Sequence, residues 1–175
     1  RQRQMCISDR MNGGRRFSNN GEAYWHHCGV SGYSQFTIAM PGSLVKIDKE
    51  LPFEHATLFG CAVMTGAGAV LNTANVQKGD SVAIFGIGGV GMSAVAAAAV
   101  READPLIAID LDDEKLAFAK KFGATHTVNA SREDAAEAVV DLTSGGAEAV
   151  FHANREPDVL ADCLRAATAR GKVIL

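Results

Sequence analysis

The fold is decided by the stretch Val82-Ala83-Ile84-Phe85-Gly86-Ile87-Gly88-Gly89-Val90-Gly91, an apolar run followed by glycines spaced as G-x-G-x-x-G. An alanine-rich segment follows and has the composition of a helix. Asp110 ends the next apolar run, at about the 20-residue distance that separates the glycines from the ribose-binding acid in dinucleotide-binding folds. The pattern therefore predicts a strand, a glycine turn and a helix that together bind a dinucleotide.

The glycines predict where the cofactor's phosphates lie. Gly86 allows a sharp turn off the strand, Gly88 lets a pyrophosphate approach the backbone, and Gly91 lets the helix pack closely. The phosphates then lie at the helix N-terminus, where free N–H groups and the helix dipole stabilise an anion. We expect Gly89 and Val90, in the first turn of this helix, to belong to the same cofactor site.

The residues that follow the second strand predict NAD rather than NADP. The carboxylate of Asp110 is expected to accept the ribose hydroxyls and would repel a 2′-phosphate. Leu111 is positioned to flank the adenine. Lys115 comes one turn into the next helix, within reach of the ribose, although a solvated helix lysine is an equal alternative.

Strands and helices alternate through the second half of the chain. The predicted strands are 81–86, 105–110, 126–128, 148–152 and 172–175, and the predicted helices are 89–102, 112–122, 132–143 and 157–169. Short glycine turns between them require parallel strands with right-handed crossovers. We therefore predict an α/β fold, a doubly wound parallel sheet of the Rossmann type in the order 3-2-1-4-5, truncated before its last strand.

The first part of the chain has weaker local signals. Residues 1–32 are predicted to form a loop with one short strand near Tyr24-Trp25-His26. Further strand-like segments and two short helices follow, at Ser34–Ala39, Leu44–Ile47, Phe53–Cys61 and Thr65–Thr73. We divide the chain into a β-rich part, residues 1–60, and the Rossmann domain, residues 61–175.

Composition narrows the class of protein. The chain has 175 residues, of which 47% are apolar and 21% charged, as in a packed globular protein. A net charge of −3 provides no basic field for nucleic acid, and no uninterrupted apolar run approaches the roughly 20 residues of a membrane span. The four cysteines are widely separated without a CxxC pair, which favours reduced thiols and a cytoplasmic location. Because the chain starts with Arg1 and stops within a strand-like run, we expect it to be a piece of a longer protein.

Two longer segments, Phe59–Val70 and Val76–Gly91, resemble the zinc-dependent medium-chain alcohol dehydrogenases of the class I and class III branch. Shorter matches occur at Cys6-Ile7-Ser8-Asp9, Arg15-Arg16-Phe17, His26-His27, Phe36-Thr37 and Lys121-Phe122-Gly123-Ala124-Thr125. The resemblance implies that residues 1–60 belong to a catalytic GroES-like domain. It also implies hydride transfer between NAD and a primary alcohol or a hydroxymethyl-glutathione-like adduct, in a homodimer or homotetramer.

The resemblance also implies roles for individual residues. Cys61 matches a thiolate ligand of the catalytic zinc, whereas on its own it would be interpreted as a small buried hydrophobic residue. Thr65 matches the threonine that lies against the nicotinamide, with Val90 on the other side of the ring. Cys6 matches the last of four cysteines that bind a structural zinc, and an ordinary loop thiol is its alternative.

Two segments depart from the family pattern. Val100-Arg101-Glu102-Ala103-Asp104 lacks the glycine that commonly ends the first Rossmann helix, so another residue must cap it. Phe151-His152-Ala153-Asn154-Arg155 replaces acidic and glycine residues beside the nicotinamide end of the crevice, which predicts altered cofactor affinity or substrate preference.

Three other protein classes share the glycine loop. An NAD-sensing regulatory module would use the loop and Asp110 without chemistry, but it leaves the segment from Tyr33 to Thr65 unexplained. A methyltransferase usually has an acidic residue before its loop, where this chain has Ile84-Phe85. A zinc-free quinone reductase relative is closer, and Cys61 argues against it.

Overall fold

A computed structural model describes residues 17–24, 35–36 and 41–175. The chain divides into two compact units, residues 1–50 and 51–175. The division comes before the predicted domain boundary at Gly60, so the segment that carries Cys61 begins within the second unit.

The first unit contains a short antiparallel hairpin, formed by β1 (Phe17–Asn19) and β2 (Glu22–Tyr24). Asn20 and Gly21 join them with positive φ angles of 51° and 82°, the conformation that a two-residue hairpin turn requires. The predicted strand near Tyr24 is therefore part of this hairpin, while its Trp25 and His26 lie outside the described residues, as does most of the predicted strand Ser34–Ala39.

The predicted strand Leu44–Ile47 is wrong. The chain passes through a 3-10 turn at Pro41–Ser43 and then runs without regular structure from residue 44 to residue 48. Leu44, Val45 and Ile47 are exposed, and in the described part of the chain no strand pairs with them. Because a strand needs a partner for its backbone hydrogen bonds, a short apolar run alone does not form one here.

The second unit begins with one long helix, α1 (Phe53–Ala74), where the sequence predicts two short ones. It has wider π-helical turns at Phe59–Val63 and Ala69–Ala74. Its backbone stays helical between these segments, and Asn75 ends it in the left-handed conformation, with φ 51°. Cys61 and Thr65 therefore belong to one continuous helix.

Helix α1 has the length and composition of a membrane-spanning helix, with 22 residues and a mean hydropathy of 1.3. One such helix is weak evidence for a membrane span, because a core helix of a soluble protein has the same length and composition. Gly66, Val70 and Ala74 are buried in the second unit, and Val70 and Ala74 belong to its apolar core.

The second unit is built on a parallel sheet with the order β5-β4-β3-β6-β7. The strands are β3 (Val82–Phe85), β4 (Leu106–Asp110), β5 (His126–Asn129), β6 (Ala147–His152) and β7 (Ala167–Ile174). Helices α2 (Gly89–Val100), α3 (Asp113–Lys121), α4 (Ala135–Thr143) and α5 (Val159–Ala166) connect them. The predicted strand order and the doubly wound Rossmann-type fold are confirmed.

The central strands are buried on both faces, which explains why they read as continuous apolar runs. Val82, Ile84 and Leu106 pack in one core with α1 and α2, while Ala83 and Phe85 lie in a second core with α4 and α5. The sheet therefore holds the end of β3 rigidly between two apolar layers, at the position where the glycine loop begins.

Helices α2 and α5 both end earlier than the sequence predicts, and α2 ends at Val100 rather than residue 102. Helix α2 ends in a capping turn in which Glu102 adopts a φ of 56° and the N–H of Ala103 donates to the carbonyl of Ala98. Glutamate thus takes the left-handed position that glycine most often occupies at a helix end, and the helix is capped without glycine as the sequence requires. Helix α5 ends at Ala166 rather than residue 169, because Ala167 already pairs with Ala147 at the start of β7.

Candidate functional site

The turn after β3 has room for glycine only. Gly86 adopts a φ of 96°, and a Cβ atom there would lie 2.8 Å from the Cβ of Asn154. Gly91, in the first turn of α2, approaches so closely that its Cβ would lie 1.9 Å from the carbonyl oxygen of Gly86. The two residues hold the start of α2 directly against the end of the strand.

Gly88 has a different environment. It precedes α2 in an extended conformation, with φ −85° and ψ −165°, and no described atom lies within 4 Å of the position of a Cβ. No described side chain caps α2, whereas Asp112 and Asp134 accept hydrogen bonds from the first turns of α3 and α4. The first N–H groups of α2 lack intrahelical acceptors and face an open space that suits an anion.

Asp110 ends β4 beside this loop, and its side chain is 11% exposed. One carboxylate oxygen, Oδ2, accepts a 2.7 Å hydrogen bond from the N–H of Ile87, inside the glycine loop. The other, Oδ1, accepts from the N–H groups of Leu111 and Asp112 at 2.8 and 3.1 Å. The structure thus brings the predicted ribose-binding acid into direct contact with the predicted phosphate-binding loop.

Leu111 and Lys115 both follow Asp110 in the chain. The ammonium of Lys115 lies 3.6 Å from Oδ1 of Asp110, and the lysine side chain is half-exposed. Leu111 is 67% exposed, so its side chain is accessible to a ligand at this edge of the sheet. Both predicted residues are therefore close to Asp110 in sequence and in space.

Cys61 and Thr65 lie one turn apart on α1 and are both exposed. The helix packs closely on the glycine loop: a Cβ at Gly66 would lie 2.2 Å from the carbonyl oxygen of Val90, and one at Gly89 would lie 3.3 Å from the Cβ of Ala62. Gly66, which no sequence pattern had pointed to, allows α1 to contact the start of α2.

A metal site is not complete among the described residues. Residues 17–24, 35–36 and 41–175 contain no group of three His, Cys, Asp or Glu side chains arranged to hold a metal ion. Cys61 offers one exposed thiol, and Cys6 lies outside the described residues. Cys163 is buried, and this burial raises the pKa of its thiol to about 12, so it remains protonated and unsuited to bind metal.

The segment after β6 closes the other side of the glycine loop. The N–H of Ala153 donates to the carbonyl of Phe85, and Asn154 packs against Gly86. The Oδ1 atom of Asn154 accepts from the N–H of Glu156, whose carbonyl lies 3.1 Å from Nε2 of His152. The residues that depart from the family pattern thus form a turn directly against the predicted cofactor loop.

Asn129 lies beside the candidate site, and no sequence pattern had pointed to it. It is 8% exposed at the end of β5, and its amide donates to the carbonyl of Leu111 and to Oδ1 of Asp113 at 3.2 and 2.7 Å. Hydrogen bonds from Asn129 and Arg132 lower the pKa of Asp113 below its usual value. A polar residue at the carboxyl end of a parallel strand was the available signal, because ligands bind at this edge.

Comparisons with known proteins show which sequences this chain resembles. A family model described as zinc-binding dehydrogenase matches residues 89–175. The S-(hydroxymethyl)glutathione dehydrogenase of Saccharomyces cerevisiae is 42% identical over 158 residues, which cover 86% of this chain and 41% of the relative. The Synechocystis protein of the same name is 41% identical over 154 residues, covering 87% and 42%.

Solved structures that resemble this chain include alcohol dehydrogenases. An alcohol dehydrogenase zinc-binding domain protein from Burkholderia ambifaria superposes with a TM-score of 0.83 at 34% identity, over 93% of this chain and 45% of that one. Benzyl alcohol dehydrogenase from Acinetobacter calcoaceticus superposes with a TM-score of 0.80 at 30% identity, over 91% and 46%. The chain spans about two fifths of the length of the curated relatives it matches.

Proposed function

Because residues 89–175 match the zinc-binding dehydrogenase family model, and most of the chain is similar to alcohol dehydrogenases, we propose that it is the NAD-binding portion of a zinc-dependent alcohol dehydrogenase. The observation that carries the proposal is the contact between Asp110 and the glycine loop, next to the open space at Gly88. A carboxylate and an uncapped helix N-terminus lie side by side there, and they suit the two halves of an adenosine diphosphate.

The residues present fit NAD. The first N–H groups of α2, at Gly89 and Val90, bind the pyrophosphate, and the missing side chain at Gly88 leaves room for it. The carboxylate of Asp110 accepts hydrogen bonds from the ribose hydroxyls, and Lys115 lies beside that carboxylate. Bound NAD supplies the acceptor for a hydride. The carboxylate disfavours a 2′-phosphate, which makes NAD the preferred cofactor over NADP.

Zinc is proposed for the whole protein, with Cys61 as one thiolate ligand and Cys6 as a ligand of a structural zinc. Support comes from the family and from the exposed position of Cys61 on the helix that packs on the glycine loop. The described residues do not assemble the remaining ligands. Thr65, one turn from Cys61, is proposed to lie against the nicotinamide, with Val90 on its opposite side.

The substrate proposed for the whole protein is a primary alcohol or a hydroxymethyl-glutathione-like adduct. Its support is the name S-(hydroxymethyl)glutathione dehydrogenase, shared by the curated relatives in yeast and Synechocystis. A cytoplasmic homodimer or homotetramer, with residues 1–60 in the catalytic domain, completes the proposal. An NAD-sensing module is disfavoured because it gives no reason for the close packing of α1 on the loop.

The test is calorimetric titration of the chain with NADH and NADPH. We expect NADH to bind weakly and NADPH to bind at least about tenfold more weakly, which corresponds to the loss of one charge-assisted contact. No alcohol oxidation is expected from this chain, because the described residues do not complete a zinc site. The absence of NADH binding under any condition would refute the proposal.

A further inference from the structure

Asp110 joins two segments that are far apart in the sequence. Its Oδ2 atom accepts from the N–H of Ile87, and the two residues are separated by 23 positions. Ile87 lies between the first two glycines of the loop and is itself buried. The carboxylate of a residue that ends β4 thus fixes the backbone that leaves β3.

The contact exists without any cofactor. The part-buried carboxylate uses Oδ2 for the glycine loop and Oδ1 for its own turn, where Leu111 and Asp112 donate their N–H groups. Each carboxylate oxygen has two lone pairs, and Oδ1 already accepts from two N–H groups, so one acceptor position remains on Oδ2 for a ribose hydroxyl. Backbone donors and a ligand can therefore use the same carboxylate at once.

We propose that Asp110 is a positioning residue that holds the glycine loop in its phosphate-binding shape before the cofactor binds, in addition to contacting the ribose. The inference rests on the proposed cofactor site. A loop already held in this shape binds phosphate without a further ordering cost, which raises affinity. Asp110 therefore contributes to binding even of ligands that lack the adenosine ribose.

The substitution Asp110→Asn separates the two roles. An asparagine has one acceptor oxygen, and Leu111 and Asp112 supply two local donors for it. Its NH₂ group then faces the N–H of Ile87, and two donors cannot bond to each other. Glu114→Gln is the matched control, because Glu114 is an exposed residue in the first turn of α3 and the change removes the same charge from the same edge.

Amide hydrogen exchange of the cofactor-free chain directly tests the hydrogen bond from the N–H of Ile87 to Asp110. We expect the Ile87 N–H to exchange at least about tenfold more slowly than the free N–H of Gly89, and to lose that protection in Asp110→Asn but not in Glu114→Gln. Equal exchange of Ile87 and Gly89 in the unmodified chain would overturn the inference. The comparison of Ile87 with Gly89 in the unmodified chain does not depend on the folding of any variant.

Binding of reduced nicotinamide mononucleotide tests the consequence, because this probe carries a phosphate but no adenosine. Asp110→Asn is expected to weaken its binding about tenfold, and Glu114→Gln by less than about twofold. Unchanged affinity in Asp110→Asn would overturn the inference while leaving the cofactor site intact. Failure of NADH itself to bind the unmodified chain would instead refute the proposed function. Hydrogen exchange of the Ile87 N–H would still test whether Asp110 holds the glycine loop.

Discussion

Replacing Gly91 with alanine is expected to push the glycine loop away from helix α2. The new Cβ would lie 1.9 Å from the carbonyl oxygen of Gly86, whereas carbon–oxygen contacts ordinarily start near 3.3 Å, so the two segments must separate by about 1.4 Å. Both partners are backbone at this contact, and the cost belongs at the upper end of overpacking, about 3 kcal/mol. For a chain of this length the loss corresponds to a Tm lower by roughly 6–12 °C.

Gly88→Ala is the matched control, because it adds the same methyl group to the same loop. No described atom lies within 4 Å of that position, and the φ of −85° suits alanine. Losing glycine at a helix N-cap lowers stability, whereas reducing the freedom of the unfolded chain raises it. The free energy of unfolding should therefore change by less than about 1 kcal/mol. The methyl group occupies the proposed path of the pyrophosphate and should weaken NADH binding at least about tenfold.

The assay combines thermal unfolding, followed by circular dichroism without cofactor, with calorimetric titration of NADH. Omitting the cofactor from the melting experiment keeps binding from contributing to Tm. A Gly91→Ala chain that melts with the unmodified Tm would refute the packing argument. A Gly88→Ala chain that binds NADH with unchanged affinity would refute the position assigned to the pyrophosphate.

Asp110→Ser should raise the affinity for NADPH relative to NADH at least about tenfold in calorimetric titrations, because it removes a charge that repels a 2′-phosphate; an unchanged ratio would count against this role. Alkylation of the native chain, mapped by peptide mass spectrometry, should modify the exposed Cys61 and spare Cys163, whose thiol is buried and has its pKa raised to about 12; equal labelling would contradict the burial. The ion pair with Arg165 lowers the pKa of Asp134, so its stabilising effect is present above the unfolded-state pKa and is lost as the pH falls through the folded-state pKa. In acid titrations followed by circular dichroism, Asp134→Asn, which can still cap α4, should therefore lose less stability than the unmodified chain, and identical acid transitions would argue against the pair.

The proximity of the candidate site residues is predicted well where consecutive strands pair and bring them together. The glycine loop directly follows the strand, and Asp110 ends the next one, so their proximity follows from pairing of adjacent strands. The hydrogen bond from Ile87 to Asp110 was not foreseen, because a spacing pattern does not specify which backbone group faces a carboxylate. Asn129 was missed for the same reason, since its partners come from the loop that follows another strand.

Boundaries were predicted less well where tertiary contacts override local signals. The sequence predicts two helices, Phe53–Cys61 and Thr65–Thr73, but Gly66 fits against Val90 and the helix is continuous. The apolar residues of Leu44–Ile47 predict a strand, and no described partner strand lies beside them. A contact distant in sequence decides the first case, and the lack of one among the described residues decides the second.

The sequence by itself determined the Rossmann-type topology, since buried parallel strands need continuous apolar runs and helical crossovers, and both are local patterns. It also determined the glycine loop and its acidic partner, whose roles depend on backbone geometry that few residue types allow. Only the tertiary structure decided that α1 packs on the start of α2 and that Asp110 holds the loop from the neighbouring strand. Such contacts depend on distances of a few ångströms between segments far apart in the chain, and these distances exist only once the sheet and its helices have packed together.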